Sequence, residues 1–353
     1  MRTSHHFCIS ATVLWLALTA IPRVSSAGDL PQAAFELRRP AQGIRIQAGE
    51  RTGLIPVTEL GENRYKDQTG GLHGGGHNTP PDSHATAAKE QTALIMPRDA
   101  NGVPSESGSI VLISLGMSNT TQEFSAFKKL ADADPNKSPH VVIVDCAQGG
   151  QAARQWAYPS SDPGRRSPWT VMDQRLAKAH VEPNQVQVVW MKQAEMNPSQ
   201  YGVFPAHAQT LRDNMAIILR MLTARFPNLR IAYLSSRIYA GYAMSALNPE
   251  PYAYESAFSV RWLIEDQIGN DPNLNCDAAQ GPVTSPLLLW GPYFWADGIQ
   301  PRVSDDLVWL REDFGPDGTH PSESGRQKVA QMLMDFFTND ANTRQWFLRD
   351  TTR

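Results

Sequence analysis

The stretch Ile110-Val111-Leu112-Ile113-Ser114-Leu115-Gly116-Met117-Ser118-Asn119 decides the fold. The run from Ile110 to Leu115 is short, almost wholly apolar and rich in β-branched residues. It reads as a strand buried on both faces, and the glycine and polar residues that follow read as a tight turn at its carboxyl end. Runs of the same kind recur, so strands are expected at 109–115, 140–145, 185–191, 229–235 and 285–290. Amphipathic stretches separate them. The clearest is 206–226, where Leu211, Met215, Ile218, Leu219 and Leu222 recur at helical spacing, and 322–337 repeats the pattern with Val329, Leu333 and Phe336. Ser322, directly after Pro321, is the expected start of that last helix. The alternation predicts an α/β fold: a three-layer α/β/α domain around a five-stranded parallel sheet.

In such sheets ligands collect beyond the carboxyl ends of the strands. Ser118, Gly149-Gly150 and Gln193 each fall just after an expected strand. Far downstream the chain carries Asp317-Gly318-Thr319-His320-Pro321. A nucleophilic serine needs a base within hydrogen-bond reach, a carboxylate to orient that base, and donors aimed at the developing oxyanion. His320 suits the base and Asp317 the carboxylate, while the backbone N–H groups of Ser118 and Gly150 suit the oxyanion. Each piece has an ordinary reading too: Ser118 as a helix cap, Asp317-Gly318 as a turn and His320 as a cap. Asp297, in Trp295-Ala296-Asp297-Gly298, is an alternative orienting acid or a plain turn residue.

The chain has 353 residues, 41% hydrophobic and 19% charged, enough for one large domain with an appendage. Arg2, an apolar stretch from Phe7 to Ile21 and the small residues ending at Ala27 predict a cleaved signal peptide over 1–27 and an exported, secreted or periplasmic protein. The apolar stretch is shorter than the ~20 residues a bilayer demands, so no stable membrane span is expected. Loss of Arg2 and Arg23 with no acid moves the formal charge from −3 to −5. With no polybasic block, nucleic acid is not an expected partner. Residues 28–105 lack a sustained period and are broken by Gly70-Gly71, Gly74-Gly75-Gly76 and Pro80-Pro81. They are expected to form an irregular extension packed on a core domain spanning 106–353. Cys146 and Cys276 could pair in an exported protein, or Cys146 could be a buried apolar residue that never oxidises.

Four blocks together resemble the SGNH, or GDSL-like, hydrolase superfamily, and within it the sialate O-acetylesterase and acetylxylan esterase-like branch. These are Gly116-Met117-Ser118-Asn119, Gly149-Gly150 with Trp156, the segment Trp190-Met191-Lys192-Gln193-Ala194-Glu195-Met196-Asn197, and Asp317 to His320-Pro321. The resemblance covers about residues 106–337 and implies the flavodoxin-like SGNH hydrolase fold. It also implies a serine esterase acting through an acyl-Ser118 intermediate, and Gln193 as a side-chain oxyanion donor. The chain departs from the branch at Met117, at Ala194 and by one extra residue between Trp190 and Gln193. If that insertion turns Gln193 away, Asn197 is the alternative donor.

The expected substrate is a small-molecule or glycan ester, its acyl group short and of acetyl size, with Asn119 and Trp295 against it. Trp295 belongs to a cluster with Trp290, Tyr293 and Phe294 that could stack on sugar rings or pack the core. No cofactor is expected. The His73 and His77 pair is not expected to bind metal, because three glycines between them disfavour a helix. His73-Gly74-Gly75-Gly76 matches a lipase oxyanion loop of another fold, but Thr120 breaks the G-x-S-x-G that fold requires. Residues 61–82 are then either a loop or a cover over the cleft. Lys192 could meet an anionic substrate or a salt-bridge partner. Two further functions stay open: a catalytically silent carbohydrate-binding protein of the same fold, and a lipase or thioesterase acting on longer chains.

Overall fold

The computed structural model describes residues 49–162 and 164–350. The expected signal peptide, its Cys8 and residues 28–48 of the expected extension lie outside these. In chain order the main elements are β1 (Arg64–Tyr65), β2 (Gln68–Thr69), α1 (Asp82–Ala93), β3 (Ile110–Gly116), α2 (Ser118–Ala133), β4 (Val141–Val144) and α3 (Ala153–Ala157). They continue with α4 (Pro168–Lys178), β5 (Val186–Lys192), α5 (Ala206–Arg225), β6 (Ile231–Ser235), α6 (Tyr252–Ile268), β7 (Leu287–Trp290), α7 (Glu323–Asn339) and α8 (Arg344–Phe347).

Strands β3 to β7 form a five-stranded sheet in the order β4-β3-β5-β6-β7, with every pairing parallel. Each expected strand is present within two residues of its expected start and end. Alternation along a strand sorts side chains to opposite faces. Ile110 and Leu112 join one apolar cluster with Phe124 and Phe127 of α2 and Val329 and Leu333 of α7. Val111, Ile113 and Leu115 join another with Met172 of α4, Leu219 of α5 and Leu263 of α6. The fold is therefore three-layered. Ser322 caps α7, its Oγ accepting from Gly325 N at 3.5 Å. In that helix Phe337, more than the expected Phe336, fills the core.

A register shift at Val111/Leu112 explains why Val186 and Val188 of β5 sit in different clusters. The amide of Gln187 fills the irregularity, accepting from Met96 N at 3.1 Å and donating to Met96 O at 2.9 Å.

Residues 49–105 lie against the sheet domain through specific bonds. Asp297 accepts from Thr52 N and Oγ1, both at 2.6 Å, and from Gly53 N at 2.8 Å. Trp290 Nε1 donates to Leu72 O at 2.7 Å. The segment is less irregular than its sequence suggests, because α1 is a 12-residue helix beside β7 whose His84 Nε2 lies 2.8 Å from Leu288 O. Its buried residues include only alanine among the apolar types, which leaves no apolar stripe to read.

Cys146 and Cys276 are both free. Cys146 is fully buried in the α4/α5 layer, whereas Cys276 packs against the cluster on the other face, so the sheet separates the pair that could have formed a disulfide. Among the described residues no helix is long and apolar enough to cross a membrane.

Candidate active site

Ser118 is the first residue of α2, placed at the carboxyl edge of the sheet by the turn after β3. Its Oγ lies 2.7 Å from His320 Nε2, and His320 Nδ1 lies 2.5 Å from Asp317 Oδ2. An Nδ1–H donating to Asp317 leaves Nε2 free to accept from the serine, the tautomer a general base requires. Asp317 does two things at once, because its Oδ1 also accepts the backbone N–H groups of Thr319 and His320, each at 3.0 Å. Burial alone would raise its carboxyl, but the bonds from the His320 ring and the two N–H groups together hold it below the usual carboxylate range.

The turn carrying His320 depends on Gly318. Its φ is +65°, and a Cβ there would lie 1.8 Å from Tyr242 O. Asn119, expected against the substrate, braces the same turn: its Nδ2 donates to Thr319 O at 2.9 Å, though the residue also lines the cavity.

Beside Ser118 opens a cavity of about 230 Å³ whose wall includes Gly150, Glu195, Arg237, Asn248 and His320. Gly150 lines the same wall with φ +73°, a conformation that favours glycine, and a Cβ built on the neighbouring Gly149 would lie 3.8 Å from Ser118 Cβ, so the glycine pair sits beside the nucleophile. The N–H groups in the first turn of α2 have no intrahelical acceptor and no side-chain cap. The first-turn N–H of Ser118 thus stands beside its own hydroxyl, and Gly150 lies in the same cavity wall. A larger hollow, about 790 Å³, lies at the opposite, amino end of the strands beside Ile110 and His140, remote from this chemistry.

The other expected site residues are placed differently. Gln193 is 1% exposed, with neither amide atom partnered, and is absent from the cavity wall, where Ala194, Glu195 and Met196 stand instead. Asn197 is exposed and outside the wall, so it does not replace Gln193; its backbone N–H donates to Leu247 O at 2.8 Å. Asn248 is the second amide side chain in the wall besides Asn119, its Nδ2 donating to Glu195 O at 3.1 Å. No strand or motif marked it, since it arrives on the loop between β6 and α6.

Trp295 is fully buried, donates to Glu250 Oε1 at 2.8 Å and stacks edge-on against Tyr254, so the core holds it away from any substrate. Asp297 clamps Thr52 and Gly53 and does not orient His320. Lys192 is also fully buried, 2.5 Å from Glu123, an ion pair and not a surface cation. Burial pushes Lys192 down to about 8 and Glu123 up. Residues 61–82 do not line the cavity: their glycine turn lies at α6, where a Cβ on Gly74 would meet Glu265. The expected cover over the cleft is therefore absent from that wall.

Sequence reading also missed Glu195 as an ionisable group of the wall. Burial pushes its carboxyl up to about 7, against bonds from Asn214 and the backbone of Arg154.

No family model matches this chain, and no curated protein does. Among solved structures it is similar to a proposed acylhydrolase of Bacteroides fragilis, 10% identical over 73% of this chain and 97% of that one, with a TM-score of 0.37. It is similar too to a GDSL-like lipase of Bacteroides thetaiotaomicron, 11% identical over 71% and 95%, TM-score 0.35. An extracellular lipase of Streptomyces rimosus is 10% identical over 63% of this chain and 100% of that one, TM-score 0.26. At this level of overlap, the chemistry rests on the geometry of the site itself.

Proposed function

We propose that this chain is a carboxylic ester hydrolase of the SGNH type that works through an acyl-enzyme on Ser118. The observation that carries the reading is the bonded chain from Ser118 Oγ through the His320 ring to Asp317, opening onto a cavity. Ser118 Oγ attacks the ester carbonyl carbon as His320 Nε2 takes its proton, and the N–H groups of Ser118 and Gly150 receive the oxyanion. His320 then protonates the leaving alcohol. Water, deprotonated by the same ring, attacks the acyl group, and Ser118 regains its proton as the acid departs. Asp317 holds the ring in its tautomer and stabilises the imidazolium.

The cavity, about 230 Å³, falls below the ~300–1,000 Å³ usual for ligand pockets, which favours a short acyl group such as acetyl over a fatty chain. A carbohydrate alcohol and export by the segment 1–27 complete the proposal, both on the sequence resemblance and the leader-like composition.

The test is hydrolysis of p-nitrophenyl acetate by the mature protein beside Ser118→Ala and His320→Ala variants whose folding is checked by circular dichroism. Loss of turnover in both supports the mechanism. The second reading, a sugar-binding protein without turnover, draws on the withdrawal of Gln193 from the wall. Failure of a fluorophosphonate probe to label Ser118 in folded protein decides for it.

A further inference from the structure

The apolar run of β3 contains one polar side chain, Ser114, and it is fully buried. A hydroxyl in that position needs partners. Its Oγ donates to Asp145 Oδ1 at 2.6 Å and accepts the N–H groups of Cys146 and Ala147 at 3.0 and 3.1 Å. Asp145, directly after β4, gathers more than this hydroxyl. Its Oδ2 accepts from Thr121 Oγ1 and, at 2.8 Å, from Ser125 Oγ, while Oδ1 also accepts from Ala147 N at 3.2 Å.

One carboxylate thus ties together three pieces of chain around the nucleophile. Ser114 precedes Ser118 on β3, Thr121 follows it in the first turn of α2, and Ala147 leads into the Gly149-Gly150 turn before α3. Apart from that turn the connection from β4 to α3 is irregular, so local bonds have to place it. Arg175 Nη1 adds to them from α4, donating to Asp145 O and Ala147 O at 2.8 and 2.7 Å, and Gln148 N donates to Gly116 O at 3.0 Å. The N–H groups of Gly149 and Gly150 themselves have no carbonyl acceptor among the described residues.

An oxyanion donor is effective only if it is held within a few tenths of an ångström of its place. Hydroxyl bonds to an ionised carboxylate are short and strong enough to do this. Asp145 itself is not in the cavity wall, so it acts through the turn and not on the substrate.

We propose that Asp145 is a positioning residue for the oxyanion site, fixing the Gly149-Gly150 turn against the first turn of α2 and so setting where the Gly150 N–H stands relative to Ser118. The inference rests on the serine esterase reading. Its test compares p-nitrophenyl acetate with the thiono analogue, in which sulfur replaces the carbonyl oxygen. Sulfur is larger and a weaker acceptor, so donors placed for oxygen disfavour it, and the oxygen-to-sulfur ratio of kcat/KM reports their placement.

In Asp145→Ala, kcat on p-nitrophenyl acetate is expected to fall about tenfold or more with KM within about threefold, and the oxygen-to-sulfur ratio to fall about fivefold or more. Asp145→Asn, whose amide can bond the same hydroxyls, is expected to recover most of both losses. Should Asp145→Ala fail to fold by circular dichroism, Thr121→Val, which removes one arm of the bridge at nearly constant volume, is expected to lower the ratio about twofold or more. A folded variant that slows both esters alike, with the ratio unchanged, shows that Asp145 only supports the fold and overturns the proposal. A loss carried by KM with kcat intact overturns it too. Wild-type protein inactive on p-nitrophenyl acetate overturns the esterase reading and this role with it, whereas active wild type beside an unchanged ratio in the variants overturns the positioning alone.

Discussion

The Ser118 hydroxyl and the His320 ring, 202 positions apart in the chain, meet at 2.7 Å. They meet because each borders a helix on the same face of the sheet: Ser118 opens α2, and His320 lies three residues before α7. Phe124 and Phe127 of α2 share one apolar cluster with Val329, Leu333 and Phe337 of α7, and Phe127 stacks on Phe337 at 5.2 Å. Burial of that seam holds the nucleophile and the base together. The geometry of the triad is thus a by-product of core packing.

Asp317 separates orientation from folding. In Asp317→Asn the Oδ1 acceptor for Thr319 N and His320 N can persist, but the amide cannot stabilise an imidazolium and favours the wrong tautomer. Turnover is expected to fall by about 10²–10⁴-fold with a melting temperature close to wild type. Asp317→Ala also removes the two backbone bonds and should lower both. Steady-state kinetics beside thermal melts distinguishes the two, and an Asp317→Asn variant with wild-type turnover would show that Asp317 is only a turn residue.

The blocks at Ser118, Gly150 and Asp317 to His320 were legible because each lies at a strand end or in a turn whose chemistry is local. The sheet was legible for the same reason, its strands being short apolar runs with punctuated ends. Gln193 and Trp295 were misplaced because local sequence does not say which way a side chain turns after a strand, nor how much of an aromatic cluster the core absorbs. Arg237 and Asn248 carried no signal at all: they become site residues only when the β6–α6 connection folds back beside Ser118.

Gly318 is a position where shape alone is tested. A methyl group there meets Tyr242 O at 1.8 Å on a backbone already at φ +65°. Gly318→Ala is expected to destabilise the protein by about 2–4 kcal/mol, or to displace the turn and with it His320. Urea unfolding and kcat measured together check this, and a variant unchanged in both would refute the packing at Tyr242.

The buried pair Glu123 and Lys192 predicts non-additivity. Removing Glu123 leaves Lys192 buried with only the like charge of Arg237 in range, and removing Lys192 leaves Glu123 without its 2.5 Å partner, so Glu123→Leu or Lys192→Met alone should cost about 3–5 kcal/mol. The double variant, which replaces the pair by apolar groups of similar volume, should recover most of that loss. Denaturant unfolding of the four proteins closes the cycle, and simple addition of the two single losses would show that the charges do not interact.

Glu195 gives the cleft a pH dependence whose sign follows from its burial. Its carboxyl, ordinarily near 4.5, is pushed up to about 7, so between those values the folded state holds a proton that the unfolded chain has released. Stability contributed by this group is complete below pH 4.5 and is lost as pH rises through 7. In Glu195→Gln the neutral amide keeps an acceptor for Asn214 Nδ2, now 2.8 Å from Oε1, and has no proton to lose. Relative to wild type the variant should therefore gain stability between pH 4.5 and pH 8, by roughly 3 kcal/mol at about 1.4 kcal/mol for each pH unit of displacement. Glu250, also raised to about 7, titrates in both proteins and cancels from the difference. Urea unfolding of the two proteins at pH 4.5, 6 and 8 measures it. A difference that is flat across the series would mean that Glu195 ionises freely, with water reaching the cleft wall, and a fall in the variant's relative stability with pH would mean that an ionised Glu195 is bound by a cation.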